Sequence, residues 1–396
     1  MRGQEIVHRL TKVRCWLILF ALTCGSIQAK TVLPLPFFNH TGNPNLDWIG
    51  ESIAETLRDA MIPEGVLVLE RADRLEAYRR MSLRSGAEIT HASIVKIGES
   101  LDASLVVYGA YETPSKDTLR VTAHILDLQR SGLGPEFGET GQLEDLATLE
   151  YRLSWQVLQQ MHWKDLPSLD EFLQSRPPVR LDAVESYIRG LLAATPDQRH
   201  LFFTRAARLD EHYSQPCFQL GKIFWARKDY KIAAGWLERV RRPDPHYLEA
   251  QFFLGLCRYN MANFAGAAEC FQTVAAAVPL NEVFDNLGAA QSRLNQPDAA
   301  LASFRKALEG DTLDPDYQFN VAYSLWRGKQ FDEAAEGFRA VLERNPSDTE
   351  ASALLARALK KEGPRPGDPK SEARERLKTN YEEAAFRQLQ AELGNK

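Results

Sequence analysis

One segment repeats itself between Ser214 and Asp348, at a spacing of 34 residues and once of 33. The aligned copies share a small residue (Gly221, Gly255, Gly288, Ala322), an alanine (Ala233, Ala267, Ala300, Ala334) and a Leu or Phe four residues later (Leu237, Phe271, Phe304, Phe338). Small residues let two antiparallel helices approach closely, and the larger side chain fills the remaining gap. Each helix pair exposes an apolar face that only the next pair can cover, which predicts an α-solenoid.

The repeat resembles the tetratricopeptide repeat, whose Leu-Gly, Ala, Phe and Pro signature falls at these offsets. The matching positions are Leu220-Gly221, Leu254-Gly255 and Leu287-Gly288, with Pro245, Pro279 and Pro346 closing three units, whereas the fourth unit departs with Val321-Ala322. We place full repeats at 214–247, 248–280, 281–314 and 315–348, an irregular first repeat at 182–213 and a partial repeat at 349–362. A charged helix at 370–394 is expected to cap the open end.

The region before the repeats, residues 30–162, alternates strand and helix signals. Extended apolar runs include Val32 to Phe38 and Ser104 to Tyr111, and the first helix, which Asn45 can cap, carries Ile49 and Ile53 on one face. Strands interleaved with helices, followed by strands in succession, predict a mixed sheet with helices packed against it. The expected fold class is therefore multidomain, with an α/β domain before an all-α solenoid. Residues 163–181, with Pro177 and Pro178, are interpreted as a stiff linker.

The α/β region resembles the amino-terminal domain of the periplasmic TolB protein, and also the curli-secretion lipoprotein family. The resemblance is carried by VLPLPFFNHTGNPNLDWIGESIAETL, VLVLER, IGESLDASLVVYGAY and LRVTAHILDL. It covers about a third of the chain and implies a small envelope domain that docks to other proteins, in a bacterial exported protein. It implies no chemistry and assigns no binding residue.

Residues 1–29 have the composition of an export signal. Arg2, Arg9, Lys12 and Arg14 precede the apolar run Cys15 to Thr23, which is too short to span a bilayer comfortably, and small residues follow. Cleavage after Ala29 predicts a periplasmic protein, and an uncleaved inner-membrane anchor is the alternative. The mature chain has 44 Lys and Arg against 52 Asp and Glu, a formal charge of −8. This acidic balance does not suggest a nucleic-acid binder.

The sequence contains no recognisable catalytic pattern. It has no HExxH, CxxC or GxSxG motif and no phosphate-binding glycine loop, so we expect no enzyme activity, cofactor or metal. Cys217, Cys257 and Cys270 lie in repeat helices and are interpreted as buried thiols. Cys257 and Cys270 lie on partner helices of one unit, so a disulfide between them in an oxidising compartment is the alternative.

In the tetratricopeptide repeat the first helix of each unit lines a concave groove, so the resemblance implies a set of groove residues. The predicted partner-binding residues are Phe218, Lys222, Trp225, Phe252, Tyr259, Asn286, Phe319, Asn320, Tyr323, Trp326 and Arg327, with Arg293 beside them. Asn286 and Asn320 occupy one position in successive units, where the resemblance implies contacts to a peptide backbone. The alternative is that the aromatic residues pack against adjacent helices.

The groove also contains acidic residues, which are Glu249, Glu282, Asp285 and Asp316. They argue against a groove that clamps a carboxylate with Lys and Arg. The sequence therefore predicts a non-enzymatic periplasmic adapter that binds a protein or peptide in the groove. The alternative is a subunit of an outer-membrane secretion or assembly complex that oligomerises through the α/β domain. The adapter hypothesis requires a groove that the chain's own tail does not fill.

Overall fold

The computed structural model describes residues 30–83, 88–130, 132–365 and 374–393, so the export signal at 1–29 lies outside the described residues. In the front domain, residues 31–161, the strands form one mixed sheet in the order β3-β1-β4-β5-β6; β2 also pairs with β4, and β7 also pairs with β5. The strands are β1 (Thr31–Pro34), β2 (Phe38–Asn39), β3 (Leu67–Val68), β4 (Leu105–Ser115), β5 (Thr118–Asp127), β6 (Gly132–Leu133) and β7 (Phe137–Gln142). β1 to β4 pair in parallel, whereas β5 pairs antiparallel with β4, β6 and β7.

Helices cover both faces of this sheet. They are α1 (Trp48–Met61), α2 (Arg71–Arg80), α3 (His91–Ser100) and α4 (Leu146–Gln160). Ile53 of α1 and Leu153 of α4 belong to one buried apolar cluster, and Tyr78 and Ile97 of α2 and α3 belong to a second. The predicted fold class is confirmed. The predicted cap is wrong in detail, because Asn43 caps a short 3-10 turn before α1 and accepts a hydrogen bond from the Asn45 backbone N–H.

Helix pairs follow as far as residue 359. They are α5 (Leu169–Gln174), α6 (Leu181–Leu192), α7 (Pro196–Leu209), α8 (Gln215–Ala226), α9 (Tyr230–Leu237), α10 (Tyr247–Asn260), α11 (Phe264–Ala277), α12 (Asn281–Arg293), α13 (Pro297–Gly310), α14 (Pro315–Arg327), α15 (Phe331–Arg344) and α16 (Thr349–Leu359). From α6 onward each helix packs on the next one in the chain. Much of the apolar surface of each pair is therefore buried against the neighbouring pairs.

The small-residue column allows this packing. A Cβ atom added to Gly255 would lie 2.7 Å from the ring of Phe271, and one added to Gly288 would lie 2.7 Å from the ring of Phe304. Both rings are completely buried. In the fourth pair, where Ala322 replaces the glycine, the facing helix provides Gly337, whose added Cβ would lie 2.8 Å from the Cβ of Ala322. Close backbone approach is thus kept in each full pair by at least one small residue.

The front domain and the first helix pairs share a continuous buried core. Residues of α1, α4, α6 and α8 belong to one apolar cluster. Polar contacts cross the same boundary: Gln215 donates to Asp59, and Arg176 Nη2 lies 2.7 Å from Glu64 Oε1. The predicted linker at 163–181 contains α5, and Arg176 fixes its end to the front domain. The front domain and the first helix pairs are therefore joined by an extensive interface and not by the predicted linker at 163–181 alone.

The carboxy-terminal segment differs from its prediction as a capping helix at 370–394. In the described part of this segment the helix, α17, spans Glu383–Leu393 and contacts β3 of the front domain, while residues 370–373 and 394 lie outside the described residues. Arg387 Nη1 also lies 2.6 Å from Asp73 Oδ2 in α2. Residues 374–382 form no helix and run along the solenoid. The prediction of a lid over the last repeat is therefore wrong, because polar and aromatic contacts hold this segment against the repeats and the front domain.

Cys217, Cys257 and Cys270 are buried and unpaired, as expected for core thiols. Burial raises the pKa of the Cys217 thiol to about 11 and that of Cys257 to about 12. These thiols are consequently protonated and poorly reactive. Among the described residues, no helix is both long enough and apolar enough to cross a membrane.

The glycine column predicts opposite effects of two glycine-to-alanine substitutions in repeat helices. Gly255→Ala forces a Cβ against the Phe271 ring and should lower the free energy of unfolding by about 1–3 kcal/mol. Gly235→Ala in α9 meets nothing within 4 Å, and alanine is the better helix former, so stability should stay unchanged or rise by up to about 1 kcal/mol. Urea unfolding followed by circular dichroism measures both. Equal losses in the two variants would contradict this account.

Candidate functional site

The first helices of successive pairs, α8, α10, α12 and α14, form a common face that we call the groove. Residues 374–382, which we call the tail segment, lie in it in the direction opposite to the order of the repeats. Arg376 contacts α14, Lys378 contacts α12 and Tyr381 contacts α10. The tail segment therefore leads from the last full repeat back toward the front domain.

Two asparagines of the groove bind the backbone of the tail segment. Asn286 Nδ2 donates to the carbonyl oxygen of Lys378 at 2.8 Å, and the N–H of Lys378 donates to Asn286 Oδ1 at 2.9 Å. Asn320 makes the same pair of bonds with Arg376, at 2.7 Å and 2.8 Å. In an extended chain the N–H and C=O of one residue point to the same side, and alternate residues point alike. The asparagines thus form hydrogen bonds with every second residue of an extended backbone.

A polar pocket encloses the carboxylate of Glu375, whose side chain is 0% exposed. We call Tyr259, Ser292, Arg293 and Arg327 the acid pocket. Arg293 Nη2 lies 2.6 Å from Glu375 Oε2 and Arg327 Nη1 lies 3.4 Å from Oε1. The hydroxyls of Ser292 and Tyr259 also donate to this carboxylate. A buried carboxylate is tolerated only when cations and donors compensate its lost hydration, and the acid pocket provides both.

Acidic residues of the repeats bind the basic residues of the tail segment. Lys378 Nζ lies 2.8 Å from both Asp314 Oδ2 and Asp316 Oδ2. Arg376 Nη1 lies 2.8 Å from Asp348 Oδ2, and its guanidinium carbon lies 3.6 Å from the centroid of the Phe319 ring. The basic residues of the tail segment, like its acidic Glu375, therefore each meet opposite charges in the groove.

Aromatic contacts hold the end of the tail segment. The ring of Tyr381 lies edge-on to Phe252 with centroids 4.9 Å apart, and its hydroxyl donates to Glu249 Oε1 at 2.7 Å. Phe386 of α17 packs on Tyr381 at 4.9 Å and is buried. A hydroxyl on an aromatic ring allows Tyr381 to fill an apolar site while its polar end remains bonded.

The electrostatics of the groove follow from these contacts. Burial alone raises the pKa of Glu249, but His246, whose Nδ1 lies 2.6 Å away, and the Tyr381 hydroxyl lower it to about 2. Burial lowers the pKa of His246, yet Glu249 raises it to about 9. Burial disfavours the charge of Lys378, but hydrogen bonds to Asp314 and Asp316 raise its pKa. The ion pairs of the groove are thus formed at neutral pH.

The predicted site residues fall into two groups. Six contact the tail segment, and they are Phe252, Tyr259, Asn286, Phe319, Asn320 and Arg327. The other five make contacts within the repeats that include a ring stack of Phe218 on His246, Lys222 over Phe218, Trp225 on Tyr230, Tyr323 stacked on Trp326, and a hydrogen bond from Trp326 to the Glu362 carbonyl. The packing interpretation is correct for the aromatic residues of the second group, while partner binding by the first group stays a prediction.

The expectation of a groove free of the chain's own tail is wrong, and the adapter hypothesis fails in the form that required a permanently open groove. Sequence reasoning also treated the acidic residues only as evidence against a carboxylate clamp, whereas Asp316 and Glu249 bind the tail segment. Asp314, Asp348 and Ser292 were missed altogether. The available signal was charge complementarity between these acids and the basic residues Arg376 and Lys378.

Within the described ranges, no group of three or more His, Cys, Asp or Glu side chains has a metal-binding arrangement. The groove instead presents amides, charges and aromatic rings at spacings that fit a polypeptide.

Replacement of the groove asparagines should loosen the tail segment. Asn286→Ala and Asn320→Ala each remove two hydrogen bonds to a buried backbone, at about 1–3 kcal/mol for each group left unsatisfied. Hydrogen exchange of residues 374–382 should accelerate in both variants and most in the double variant. Glu336→Ala, at an exposed position of α15, is the matched control. Unchanged exchange in the double variant would show that the asparagines do not hold the tail.

Acidification should weaken the same region through Glu249. Because the folded pKa of about 2 lies below the ordinary value of 4.5, the carboxylate stabilises the fold above pH 4.5 and loses this effect as pH falls toward 2. The contribution is on the order of 3 kcal/mol. Urea unfolding between pH 5 and pH 2.5 should therefore show a smaller loss of stability for Glu249→Gln than for the unmodified chain. Parallel pH profiles of the two proteins would contradict the assignment.

Known proteins resemble the repeat region. The tetratricopeptide repeat family matches residues 218–282, 286–349 and 322–363. The tetratricopeptide repeat-containing protein trd-1 of Caenorhabditis elegans is 24% identical over 196 residues, which cover 46% of this chain and 25% of that protein. The chain thus matches a quarter of the length of this curated relative.

Solved structures to which the chain is similar include YrrB, described as a TPR protein with an unusual peptide-binding site (21% identity, TM-score 0.36, 40% of this chain and 82% of that one). They also include MamA from Desulfovibrio magneticus RS-1 (22% identity, TM-score 0.37, 41% and 92%). Residues 218–282 and 286–363 of this chain are tetratricopeptide repeats, a repeat type whose solenoids present extended concave surfaces for binding other proteins.

Proposed function

We propose that the chain is a non-enzymatic adapter of the bacterial cell envelope, which binds an extended segment of a partner protein in the groove after the tail segment has left it. The observation that carries the proposal is the pair of asparagine contacts at Lys378 and Arg376. Side-chain amides that bond both polar groups of one residue recognise an extended backbone whatever its side chains are. Such contacts are typical of surfaces that receive a peptide.

The groove has free space beside the tail segment. Past Tyr381 it continues into a cavity of about 280 Å³, whose lining includes Phe218, Lys222, His246 and Phe386. Lys222 is exposed at this end of the groove. The lining combines apolar rings with both signs of charge, which suits side chains of a bound protein. This end of the groove is therefore the expected entry point for a partner.

Location in the envelope is supported by the sequence. The basic start, short apolar run and small residues at 1–29 are typical of a signal for export to the periplasm. The residues of the front domain that resemble the TolB amino-terminal domain support docking to a second envelope component. In this proposal the front domain fixes the adapter in place and the repeats bind the partner.

Site-specific photocrosslinking in intact cells tests the proposal. A photoreactive residue at Lys222 should yield one discrete adduct in the periplasmic fraction, identified by mass spectrometry. The same residue at Glu336, exposed on α15, should not yield it. Because the partner needs the backbone contacts, the adduct should fall at least tenfold when Asn286→Ala and Asn320→Ala are introduced together. The same adduct from both positions, or no dependence on the asparagines, would rule out the groove as the binding site.

A further inference from the structure

We propose that the tail segment is a built-in competitor, and that the partner carries the same side-chain pattern: an acidic residue, basic residues one and three positions later, and a tyrosine or similar aromatic residue six positions later. The pattern is that of Glu375, Arg376, Lys378 and Tyr381. This inference rests on the proposed function and names the chemistry of the segment that the groove accepts.

The acid pocket selects the first residue of the pattern. Arg293 and Arg327 both face the fully buried carboxylate of Glu375, and the hydroxyls of Ser292 and Tyr259 complete its hydrogen bonds. A neutral side chain at this position would lose its attraction to the two cations, whose side chains are 29% and 38% exposed, and a basic side chain would be repelled by them. Discrimination against such segments is expected because the site presents two like charges to whatever side chain enters it.

The second and third residues of the pattern are selected by acids. Asp348 and Asp316 face Arg376, while Asp314 and Asp316 face Lys378. Phe319 lies beneath the Arg376 guanidinium, so a planar cation fits this position better than an ammonium group. These side chains are about one-fifth exposed, at 21% for Arg376 and 20% for Lys378. Water reaches these pairs, as it reaches Arg293 and Arg327, whereas the Glu375 carboxylate is fully buried.

The last residue of the pattern is selected by an aromatic site with a polar end. Phe252 contacts the ring of Tyr381 and Glu249 accepts its hydroxyl hydrogen. With the asparagine contacts to the backbone, these sites form a complete set for one extended segment. None of them is covalent, so a separate polypeptide with the same pattern makes the same contacts.

The tether determines how strongly the tail competes. A segment joined to the groove by the same chain has an effective concentration in the millimolar range, so it occupies the site most of the time. A free segment of equal intrinsic affinity then binds more weakly, because its apparent affinity is the intrinsic affinity multiplied by the fraction of molecules whose groove is open. Release of the tail should therefore increase the affinity for an outside segment, whereas a merely structural tail would not have this effect.

The test measures binding of a labelled synthetic peptide of residues 374–387 to the full chain by fluorescence anisotropy. Glu375→Arg combined with Tyr381→Ala repels the tail from the acid pocket and removes its aromatic anchor. This variant should bind the peptide at least tenfold more tightly than the unmodified chain. Glu375→Gln, a milder change that keeps the side-chain shape, should shift the affinity in the same direction by less. Gln388→Ala, at an exposed position whose side chain donates to Glu392 of α17, is the matched control and should bind as the unmodified chain does.

Two further comparisons test the pattern. A peptide with Gln in place of Glu375 should bind the released variant at least tenfold more weakly, and addition of Asn286→Ala and Asn320→Ala to that variant should abolish binding of the original peptide. Equal binding by the released and unmodified chains, with circular dichroism showing both folded, would overturn the competitor role. Equal binding of the two peptides would overturn the pattern. An asparagine-dependent adduct at Lys222, together with no peptide binding to either release variant, would overturn this inference alone and leave the adapter function standing.

Discussion

Close approach of paired helices at the glycine and alanine columns is the constraint on which the rest of the structure depends. Where Gly255 lies against the Phe271 ring, the backbone of the first helix contacts a side chain of the second helix directly. The large side chains therefore pack between the two helices of each pair. The first helices of successive pairs lie side by side, and the faces that do not pack in these cores form the groove. The position of Asn286 and Asn320 in that row, one repeat apart, follows from the same packing.

Buried polar groups in the groove then determine which kind of segment it can bind. Asn286 and Asn320 are fully buried, and their amides require partners with a donor and an acceptor side by side. An extended backbone provides this combination at each residue. The two arginines of the acid pocket add a requirement for one carboxylate. Backbone contacts thus set the conformation of the bound segment, while the charged and aromatic sites set its sequence.

The sequence predicted the repeat architecture well because one residue column in each helix controls the packing. It predicted the mixed sheet of the front domain from alternating strand and helix signals, although the strand from Val32 is broken into β1 and β2 around Pro36. The tail was predicted poorly. Its charged composition between Ser371 and Leu393 suits a solvent-exposed helix, and nothing local indicates that Glu375 meets two arginines more than forty residues earlier in the chain. Long-range ion pairs of this kind leave no periodic signal, so only the structure identifies the acid pocket and separates Asn286 from packing residues such as Trp326.

The short helix α17 links two surfaces that are distant in sequence. Phe386 packs on Tyr381 at the end of the groove, while the same helix lies against β3, the outer strand of the sheet. An outer strand carries unpaired backbone groups that readily accept another strand. If α17 left together with the tail segment in the proposed competition, β3 would be uncovered at the same time as the groove. A ligand of one surface would then influence binding at the other.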